Sequence, residues 1–439
     1  MSQADGEGEP TPALDWLFAL QRFGVKPGLE RARALLEALS LPAPGTKVVL
    51  VAGTNGKGTV TRLVSAALTG AGHVTGSFFS PHLERVGERA RVDGADSSTA
   101  EMEAAVAHVR PAAEELGCTF FEVAVAVALH RFREAGADWV VMECGLGGRY
   151  DATNALEPAL SVVTGVALDH QAVLGPDLAA IARDKSGVLR TGVPAVTGAD
   201  GDALAVIRRT AEELATPLVA LGTEFVVDVH DSGWDGLRVT VENATGSLAG
   251  LPLTLSTPLV GRHQAANVAI AAVSALLLGV SPARVVAAFR STRWAGRLER
   301  FDLERAWVLD GAHNGQASLA LAGSVSDLGT RPAAVVLGVS ADKDVAGVLE
   351  PLVTLGRTVI ATRASNSPRA LAPTVIADVA RALGAEDVHE AAGPAAALDL
   401  ARELTSDGDL VLVAGSLFLV GEARSLLRKA PAEGRQRWQ

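Results

Sequence analysis

The sequence predicts an α/β protein with two domains, each built around a mainly parallel sheet. Short apolar runs alternate with helical patterns along most of the 439 residues, which is typical of parallel sheets covered by helices on both faces. Near residues 222–257 polar and apolar residues instead alternate singly, as in half-buried antiparallel strands. We therefore predict a first domain at 1–292 with a small appended antiparallel sheet, a linker at 293–298 and a second domain at 299–439.

In the first domain, residue periodicity predicts the individual elements. The predicted helices are Leu14–Phe23, Gly28–Leu39, Val60–Leu68, Glu101–Leu116, Phe121–Ala135, Asp177–Leu189 and His263–Leu278. The predicted buried strands are Val48–Ala52, Asp138–Glu143 and Leu160–Thr164, and the predicted antiparallel strands are Phe225–His230 and Leu237–Glu242.

A second series of strands and helices follows the segment Ser291–Arg297. The predicted strands are Trp307–Leu309, Ala333–Gly338, Thr358–Ala361 and Leu410–Ala414, with helices between them. This order indicates a C-terminal Rossmann-like domain. The domain lacks a Gly-x-Gly-x-x-Gly loop, so no dinucleotide is predicted for it.

Composition excludes several classes of function. A net charge of −11 argues against a broad nucleic-acid-binding surface, and no apolar run reaches the roughly 20 residues that a membrane-spanning helix requires. The two cysteines, Cys118 and Cys144, form no Cys-x-x-Cys pair, so neither a disulfide framework nor a thiolate zinc site is expected. Such cysteine usage is typical of a reducing compartment, and we expect a cytoplasmic monomer.

A glycine-rich loop follows the first predicted buried strand. Residues Gly53–Thr59 read Gly-Thr-Asn-Gly-Lys-Gly-Thr. The glycines let main-chain N–H groups turn toward a phosphate chain, Lys57 can reach the β- and γ-phosphate oxygens, and Thr59 can offer a hydroxyl to Mg²⁺. The common pattern has glycine where Val51 stands and Ser or Thr where Gly58 stands, so an ordinary glycine turn is the alternative. The loop predicts a P-loop ATPase-like domain, with ATP or GTP as its ligand.

Polar residues also follow two other buried strands. Glu143 ends one strand, and because the carboxyl ends of parallel strands meet at one sheet edge, its carboxylate can hold Mg²⁺ opposite Thr59. The alternative is a plain glycine-rich exit from the strand. Asp169 and His170 end the next strand, and His170 is a candidate metal ligand, although Mg²⁺ prefers oxygen. A His-Asp pair in such a position is more often structural.

Four further candidates are weaker when taken alone. Lys185 lies on the helix after that strand and is by default a solvated lysine. Arg297 in the linker is a candidate phosphate clamp, although most lone linker arginines are solvated. Asp310 follows the first strand of the second domain and could bind ribose hydroxyls or a substrate amine, and His313 could stack on a base. The alternative for Asp310–Asn314 is a turn with an Asx cap.

Taken together, these segments resemble the Mur ligase superfamily and, within it, the folylpolyglutamate synthase/dihydrofolate synthase family. The matching stretches run in family order through most of the chain. They are Gly53–Thr59, Ser80–Leu83, Thr119–Glu122, Glu143–Asn154, Leu168–His170, Lys185–Gly187, Gly261–Gln264 with Asn267, Gly296–Glu299, Asp310–Asn314, Asp342–Asp344 and Gly415–Gly421. Each stretch is weak alone, but their combination indicates the folate branch rather than the cell-wall ligases.

The resemblance implies an ATP-dependent ligase that joins L-glutamate to the carboxylate of folate or dihydropteroate. The carboxylate attacks the γ-phosphate to give an acyl phosphate and ADP, and the amine of glutamate then displaces phosphate. Lys57 and Mg²⁺ would balance charge on the transferring phosphoryl group. The expected form is a bifunctional dihydrofolate synthase/folylpolyglutamate synthase whose partners are small molecules, with no nucleic acid and no membrane.

The resemblance also implies residue roles. The implied catalytic residues are Lys57, His170 and Lys185. The implied ATP-binding residues are Gly53, Thr54, Asn55, Gly56, Lys57, Gly58, Thr59, Asn267, Arg297, Asp310 and His313. The implied metal ligands are Thr59, Glu143, His170 and Lys185, the lysine as a carbamate whose oxygens suit Mg²⁺. The implied substrate-binding residues are Ser80, Pro81, His82, Asp151, Asp310, His313 and Ser416.

Three alternatives stay open at this point. The enzyme could be a folylpolyglutamate synthase only. A UDP-muramoyl peptide acceptor is less expected, because the residues before the loop leave little room for a sugar-binding domain. A nucleotide-gated binding protein without ligation is the alternative from another class, and the Asp310–Asn314 segment in a second domain argues against it.

The loop assignment gives a first prediction. Substituting Lys57→Ala removes the cation that neutralises the phosphate oxygens, so we expect ATP turnover to be lost while the fold persists. Turnover is measured as ADP release, and the fold by circular dichroism. Near wild-type turnover in the folded variant would contradict the P-loop assignment.

Overall fold

The computed structural model describes residues 12–23, 28–365 and 367–428, and these residues form three sheets. The outer ends of the predicted domains, residues 1–11 and 429–439, lie outside the described residues. The helices are α1 (Pro12–Ala19), α2 (Glu30–Ala38), α3 (Lys57–Gly70), α4 (Thr99–Glu115), α5 (Phe120–Glu134), α6 (Gln171–Leu174), α7 (Leu178–Lys185), α8 (Gly201–Glu213), α9 (Gln264–Leu277), α10 (Pro282–Ser291), α11 (Gly315–Asp327), α12 (Val345–Val353), α13 (Pro373–Ala382), α14 (Pro394–Leu404) and α15 (Leu417–Leu427). None of these described helices has the length and apolar character needed to cross a bilayer.

The first sheet has eight strands in the order β4-β3-β2-β5-β1-β6-β7-β8. Its strands are β1 (Lys47–Ala52), β2 (Thr75–Phe78), β3 (Ala90–Val92), β4 (Ala95–Asp96), β5 (Trp139–Glu143), β6 (Leu160–Val163), β7 (Ala195–Thr197) and β8 (Leu218–Ala220). All neighbours pair in parallel except β2 with β3 and β3 with β4, which pair antiparallel. The carboxyl ends of β5, β1 and β6 therefore lie side by side.

Strand β1 is apolar along almost its whole length, without alternating polar residues. Val48, Leu50 and Ala52 pack into a core with α4 and α5, whereas Val49 and Val51 pack on the other face with α3 and α9. Because helices cover both faces of the sheet, every position after the first is buried and must be apolar.

The second sheet is small and antiparallel, in the order β11-β10-β9. Its strands are β9 (Phe225–Gly233), β10 (Gly236–Asn243) and β11 (Leu253–Thr257). In β11 buried and exposed residues alternate, because one face of the sheet packs against α9 and α10 and the other faces outward. The predicted appended sheet is confirmed, with β11 as a strand that was not predicted.

The third sheet has six strands in the order β12-β13-β17-β14-β15-β16. Its strands are β12 (Glu299–Asp302), β13 (Ala306–Leu309), β14 (Ala334–Leu337), β15 (Thr358–Ala361), β16 (Asp387–Glu390) and β17 (Leu410–Ala414). All pairs are parallel except β12 with β13. We call residues 12–291 the N-terminal unit and residues 299–428 the C-terminal unit; the predicted domain boundaries themselves stay a prediction.

The predicted fold class is confirmed, but several short elements were missed. Strands β7 and β8 are only three residues long, and β2, β12 and β16 lack the mainly apolar run that revealed the equally short β6, β13, β14 and β15. The predicted helix Asp177–Leu189 is wrong at its end. Helix α7 stops at Lys185 and a 3₁₀ turn, Ser186–Val188, follows, because Leu189 N–H bonds the Ser186 carbonyl three residues back. The predicted helix Leu14–Phe23 likewise continues as a 3₁₀ turn after Ala19.

Close packing of β2 against α5 gives the second prediction. A Cβ on Gly76 would lie 2.4 Å from Cγ of the buried Phe132. We expect Gly76→Ala to lower the free energy of unfolding by roughly 1–3 kcal/mol through overpacking. The loss should be smaller when Phe132→Leu is already present, as measured by urea unfolding of the four proteins. Strictly additive losses would show that the two residues do not compete for this space.

Candidate active site at the carboxyl edges of two sheets

The glycine-rich loop connects β1 to α3, and its glycines are required by close contacts. Gly53 has φ +144°, and a Cβ there would lie 2.0 Å from the Thr164 hydroxyl. Gly56 caps α3 with φ +83°, and a Cβ there would lie 2.1 Å from the Asn267 side-chain oxygen. The Thr164 hydroxyl also donates to the Asn55 carbonyl at 2.6 Å. The loop is therefore fitted between β6 and α9 and places its N–H groups at the start of α3.

Two lysines converge on the same loop carbonyl. Lys57 Nζ donates to the carbonyls of Gly53 at 3.2 Å and Thr54 at 3.1 Å. Lys185 Nζ, at the end of α7, donates to the Gly53 carbonyl at 2.9 Å and is 3% exposed. Burial, together with the charge of Lys57, lowers the pKa of Lys185 to about 7. The structure thus places Lys185, which is distant in sequence, against the loop. Because its pKa is about 7, a substantial fraction of its side chain is the neutral amine near neutral pH.

Glu143 lies at the carboxyl end of β5, beside the loop. Its Oε2 accepts the Ser80 N–H at 3.2 Å and lies 3.5 Å from the position of a Cβ on Gly58. Burial raises the pKa of Glu143 to about 7, against the opposing charge of Lys57. Thr59 is buried in the first turn of α3. A carboxyl and a hydroxyl therefore both lie near the start of the helix, and a shared Mg²⁺ between them stays a prediction.

The departure at Gly58 has a packing explanation. A Cβ there would lie 3.1 Å from the ring of Trp294 in the segment that joins the two units. Trp294 also packs against Phe79, with ring centroids 4.8 Å apart, and the Arg91 guanidinium lies over both rings. Glycine at this loop position therefore makes room for the linker tryptophan.

Asp169 and His170 follow β6 and face the C-terminal unit. Asp169 Oδ1 accepts from Lys343 Nζ at 2.6 Å, and its Oδ2 accepts from Asn314 Nδ2 at 3.0 Å. His170 has a left-handed backbone, φ +51°, and its Nε2 lies 3.2 Å from Lys343 Nζ. Burial and the charge of Lys343 lower the pKa of His170 to about 4, so the ring is neutral near pH 7.

The C-terminal unit contributes Asp310 and His313 after β13. Asp310 accepts the N–H groups of Leu298 and Ala312, both at 2.9 Å, so the Asx turn considered from the sequence is present. His313 Nδ1 lies 2.8 Å from the Gly311 carbonyl, and burial lowers the pKa of His313 to about 4. Asp310 thereby fixes the linker to the first turn after the strand.

The remaining predicted nucleotide residues also line this region. Arg297 Nη1 donates to the Gly296 carbonyl at 2.9 Å and lies 2.3 Å from where a Cβ on Gly311 would stand. Asn267 on α9 donates to Gln264 at 2.9 Å and touches the loop at Gly56. These contacts position both side chains next to elements that carry other predicted site residues.

The predicted acceptor residues form a separate part of the cleft. His82 is buried, and its Nδ1 accepts from Arg89 Nε at 2.8 Å. Arg89 also reaches the Ser80 hydroxyl at 3.4 Å and lies over the Phe120 ring. The Ser80–Pro81 bond is cis. The loop from Ser80 to His82 is thus held by a buried arginine that was not predicted.

Two predicted substrate residues already serve their own loops. Asp151 Oδ2 accepts the N–H groups of Gly145 and Leu146, each at 2.9 Å, and its Oδ1 accepts from Thr153. Ser416 follows β17 and its hydroxyl accepts the Phe418 N–H at 3.3 Å as the cap of α15. If Asp151 or Ser416 contacts a ligand, it uses side-chain oxygens that already accept hydrogen bonds from the backbone.

The metal-ligand set is sparse in carboxylates. Among the described residues, no three His, Cys, Asp or Glu side chains are grouped to hold a metal ion. The predicted set supplies a buried carboxyl from Glu143, a hydroxyl from Thr59, a neutral imidazole from His170 and the Lys185 amine. This set fits an ion whose remaining ligands are oxygens of a bound phosphate, water or a carbamate.

Sequence reasoning missed several residues that organise the site. Arg89, Trp294, Asn314 and Lys343 received no role, although each contacts a predicted site residue. Asn314 carried a usable signal, since an Asn before an apolar helical run is a cap. Lys343 also lies within Asp342–Asp344, one of the stretches that carry the resemblance, whereas Arg89 and Trp294 are single residues with no local pattern that marks a site.

Two family models match this chain. The family model of the Mur ligase middle domain matches residues 51–275, and that of the Mur ligase glutamate ligase domain matches residues 296–417. The two matches fall on the N-terminal and C-terminal units.

Curated relatives carry folate-ligase names. The chain is 38% identical over 427 residues to a probable bifunctional folylpolyglutamate synthase/dihydropteroate synthase of Haloferax volcanii, covering 95% of this chain and 50% of that protein. It therefore spans about half the length of that relative. It is 36% identical to the dihydrofolate synthase/folylpolyglutamate synthase of Escherichia coli, over 77% of this chain and 79% of the relative.

A solved structure matches nearly the whole chain. The structure of Escherichia coli FolC in complex with DHPP and ADP is 31% identical and superposes with a TM-score of 0.85, covering 95% of this chain and 98% of the other.

The tight seating of the loop gives the third prediction. Gly53→Ala forces a side chain against Thr164 and a positive φ, so we expect it to abolish ADP binding and to destabilise the protein by about 1–3 kcal/mol. Gly323→Ala is the matched control, because a Cβ there meets nothing within 4 Å in the middle of α11. It should leave ADP binding unchanged and stabilise the helix by roughly 0.5–1 kcal/mol. ADP binding is measured by calorimetry; retained binding in Gly53→Ala would contradict the close fit.

Proposed function

Because this chain belongs to the Mur ligase family, and within it to the folylpolyglutamate synthase/dihydrofolate synthase group, we propose that it is an ATP-dependent ligase that adds L-glutamate to the carboxylate of folate or dihydropteroate. The observation that carries this proposal is the meeting of the nucleotide loop with the C-terminal unit. Asn55 of the loop is hydrogen-bonded to Asn314, at the start of α11. ATP and the incoming amino acid would then be held between the carboxyl edges of two sheets.

The loop and Lys57 would act on the phosphates. N–H groups at the start of α3 and the Lys57 ammonium provide positive charge where the γ-phosphoryl group is transferred. Lys57 Nζ donates to the Gly53 and Thr54 carbonyls. These neutral partners hold the ammonium near the loop without neutralising it, so it remains available for phosphate oxygens.

Thr59 and Glu143 would hold Mg²⁺, with His170 and a Lys185 carbamate at a second position. The ion would shield negative charge on the phosphates when it is bound. Two observations support the fit: the Glu143 carboxyl is buried beside Lys57, and the lowered pKa of Lys185 leaves a neutral amine able to react with carbon dioxide. A bound cation would replace Lys57 as the main charge opposite Glu143.

The C-terminal unit would supply the amino-acid side. Asp310, His313 and Ser416 follow the carboxyl ends of β13 and β17, two neighbouring strands. His313 is neutral near pH 7, and with its Nδ1 proton directed to the Gly311 carbonyl its Nε2 presents a lone pair. It can accept a hydrogen bond from the ammonium of glutamate or from the nucleotide.

The acceptor would lie beside the loop that begins at Ser80. The Ser80 N–H already bonds Glu143, which links the acceptor loop to the phosphate side of the cleft. Asp151 closes the glycine-rich segment after Glu143 and keeps it in place. The FolC complex with DHPP and ADP supports binding of both ligands in one protein of this shape.

Several finer statements belong to the same proposal. We favour both activities, extension of folate and glutamylation of dihydropteroate, in one monomeric cytoplasmic enzyme with small-molecule partners. Cys118 and Cys144 are buried and unbridged, which suits a reducing compartment. The alternatives are a folylpolyglutamate synthase only and a nucleotide-binding protein without ligation.

The fourth prediction separates these alternatives. With Mg-ATP and L-glutamate, purified protein should release ADP when either dihydropteroate or tetrahydrofolate is present and not when both are omitted. Release is followed with a coupled assay, and product mass confirms addition of one glutamate. Turnover with tetrahydrofolate alone would assign the single activity. Binding of ATP without release under either condition would favour the non-ligating protein.

A further inference from the structure

Four side chains join the nucleotide loop to the C-terminal unit, and we call them the amide–carboxylate cluster. Asn55 and Asp169 belong to the N-terminal unit, and Asn314 and Lys343 to the C-terminal unit. Asn55 lies after β1 and Asp169 after β6, whereas Asn314 and Lys343 follow β13 and β14. The cluster therefore spans the carboxyl edges of both sheets at the point where they approach.

Asn314 occupies the centre of this cluster and uses its whole amide. Its Oδ1 accepts from Asn55 Nδ2 at 3.2 Å and from the Ala317 N–H at 2.9 Å. Its Nδ2 donates to Asn55 Oδ1 at 3.0 Å and to Asp169 Oδ2 at 3.0 Å. Two acceptances and two donations use both lone pairs and both protons of the amide. Asn314 itself is 5% exposed, and the four bonds are partly buried.

Lys343 fixes the other end of the cluster. Its ammonium lies 2.6 Å from Asp169 Oδ1, and both side chains are 9% exposed. Buried pairs of this kind are little screened by salt. Asp169 is thus held by two residues of the C-terminal unit while it precedes His170 on the phosphate side. A fifth side chain, Gln316, accepts from Asn55 Nδ2 at 2.8 Å on the exposed rim.

We infer that Asn314 is a positioning residue for the nucleotide loop, acting through Asn55 and Asp169 rather than by contact with the reacting atoms. The inference rests on the proposed function for its role in ligation, but not for its effect on the loop. Asn314 can reach both partners only when the two units stand in this relative position. Nucleotide binding and the approach of the units therefore favour each other.

The variant Asn314→Asp tests the role without removing the helix cap. Aspartate caps helices as well as asparagine does, and it still accepts from Ala317 and Asn55. It loses both donor bonds and places a carboxylate against Asp169. We expect the dissociation constant for ADP to rise about tenfold or more, roughly 1.4 kcal/mol, with Mg²⁺ present throughout.

A second variant exchanges donor and acceptor. In the double variant Asp169→Asn with Asn314→Asp, the amide at 169 can donate to the carboxylate at 314, and net charge is unchanged. We expect the double variant to bind ADP more tightly than Asn314→Asp alone, so that the two effects are not additive. Asp177→Asn is the matched control: it makes an Asp/Asn exchange at the cap of α7, outside the cluster, and should leave ADP binding unchanged.

A spin-label distance measurement reports directly on the relative position of the two units. Cysteines at the exposed positions Ala104 on α4 and Ala395 on α14 accept spin labels, since the native cysteines are buried. Asn314→Asp should broaden the distance distribution between the labels, and the double variant should narrow it again.

The outcomes separate the two claims. Unchanged ADP affinity and label distances in Asn314→Asp overturn the inference, even if the thermal midpoint falls, because a cap role alone would then suffice. Weakened ADP binding with broadened distances and rescue in the double variant supports it. If the variants show these responses but the wild-type protein releases no ADP with either acceptor, the proposed ligase function fails and the positioning role stands.

Discussion

The position of the Gly53 peptide is the constraint on which the rest of the site depends. Its carbonyl accepts from both Lys57 and Lys185, and its Cα lies so close to Thr164 that no side chain fits. The Gly53 peptide thereby contacts the first turn of α3, the end of α7 and the residue that follows β6. Both amino groups share a neutral acceptor rather than a carboxylate, so the charge of Lys57 is not neutralised by these bonds where phosphates are proposed to bind.

Burial of charge without full pairing is the second theme of the site. Glu143 and Lys185 both have a pKa displaced to about 7, the carboxyl upward and the amine downward, with burial as the first cause. Each group is therefore divided between its charged and neutral forms near pH 7, and an added cation or phosphate would shift that balance. Asp169 is the contrast, because Lys343 and Asn314 satisfy its carboxylate across the cleft.

Contacts between the units are concentrated at the site but not confined to it. Trp294 in the connecting segment packs on the loop at Gly58, and Asp310 bonds the same segment at Leu298. Farther away, Trp234 in the β9–β10 turn donates to the Thr330 hydroxyl at 3.2 Å, and His263 lies 2.8 Å from the Ser324 hydroxyl. These distant contacts restrain the same approach of the units from the side of the small sheet.

The sequence by itself determined the α/β class, the glycine loop and the strand ends that carry Glu143, Asp169 and Asp310, since these depend on local period and on the chemistry of a strand-to-loop transition. It missed β2 and β16, because these strands carry polar or glycine residues instead of the mainly apolar run that revealed other four-residue strands, such as β13 and β14.

Only the tertiary structure decided which distant side chains meet. It brought Lys185 to the Gly53 carbonyl, placed Arg89 beneath the Ser80 loop and joined Asn55 to Asn314 across 259 residues of chain. The physical reason is that such contacts arise from the packing of separate elements, whereas local sequence records only the conformation of each element.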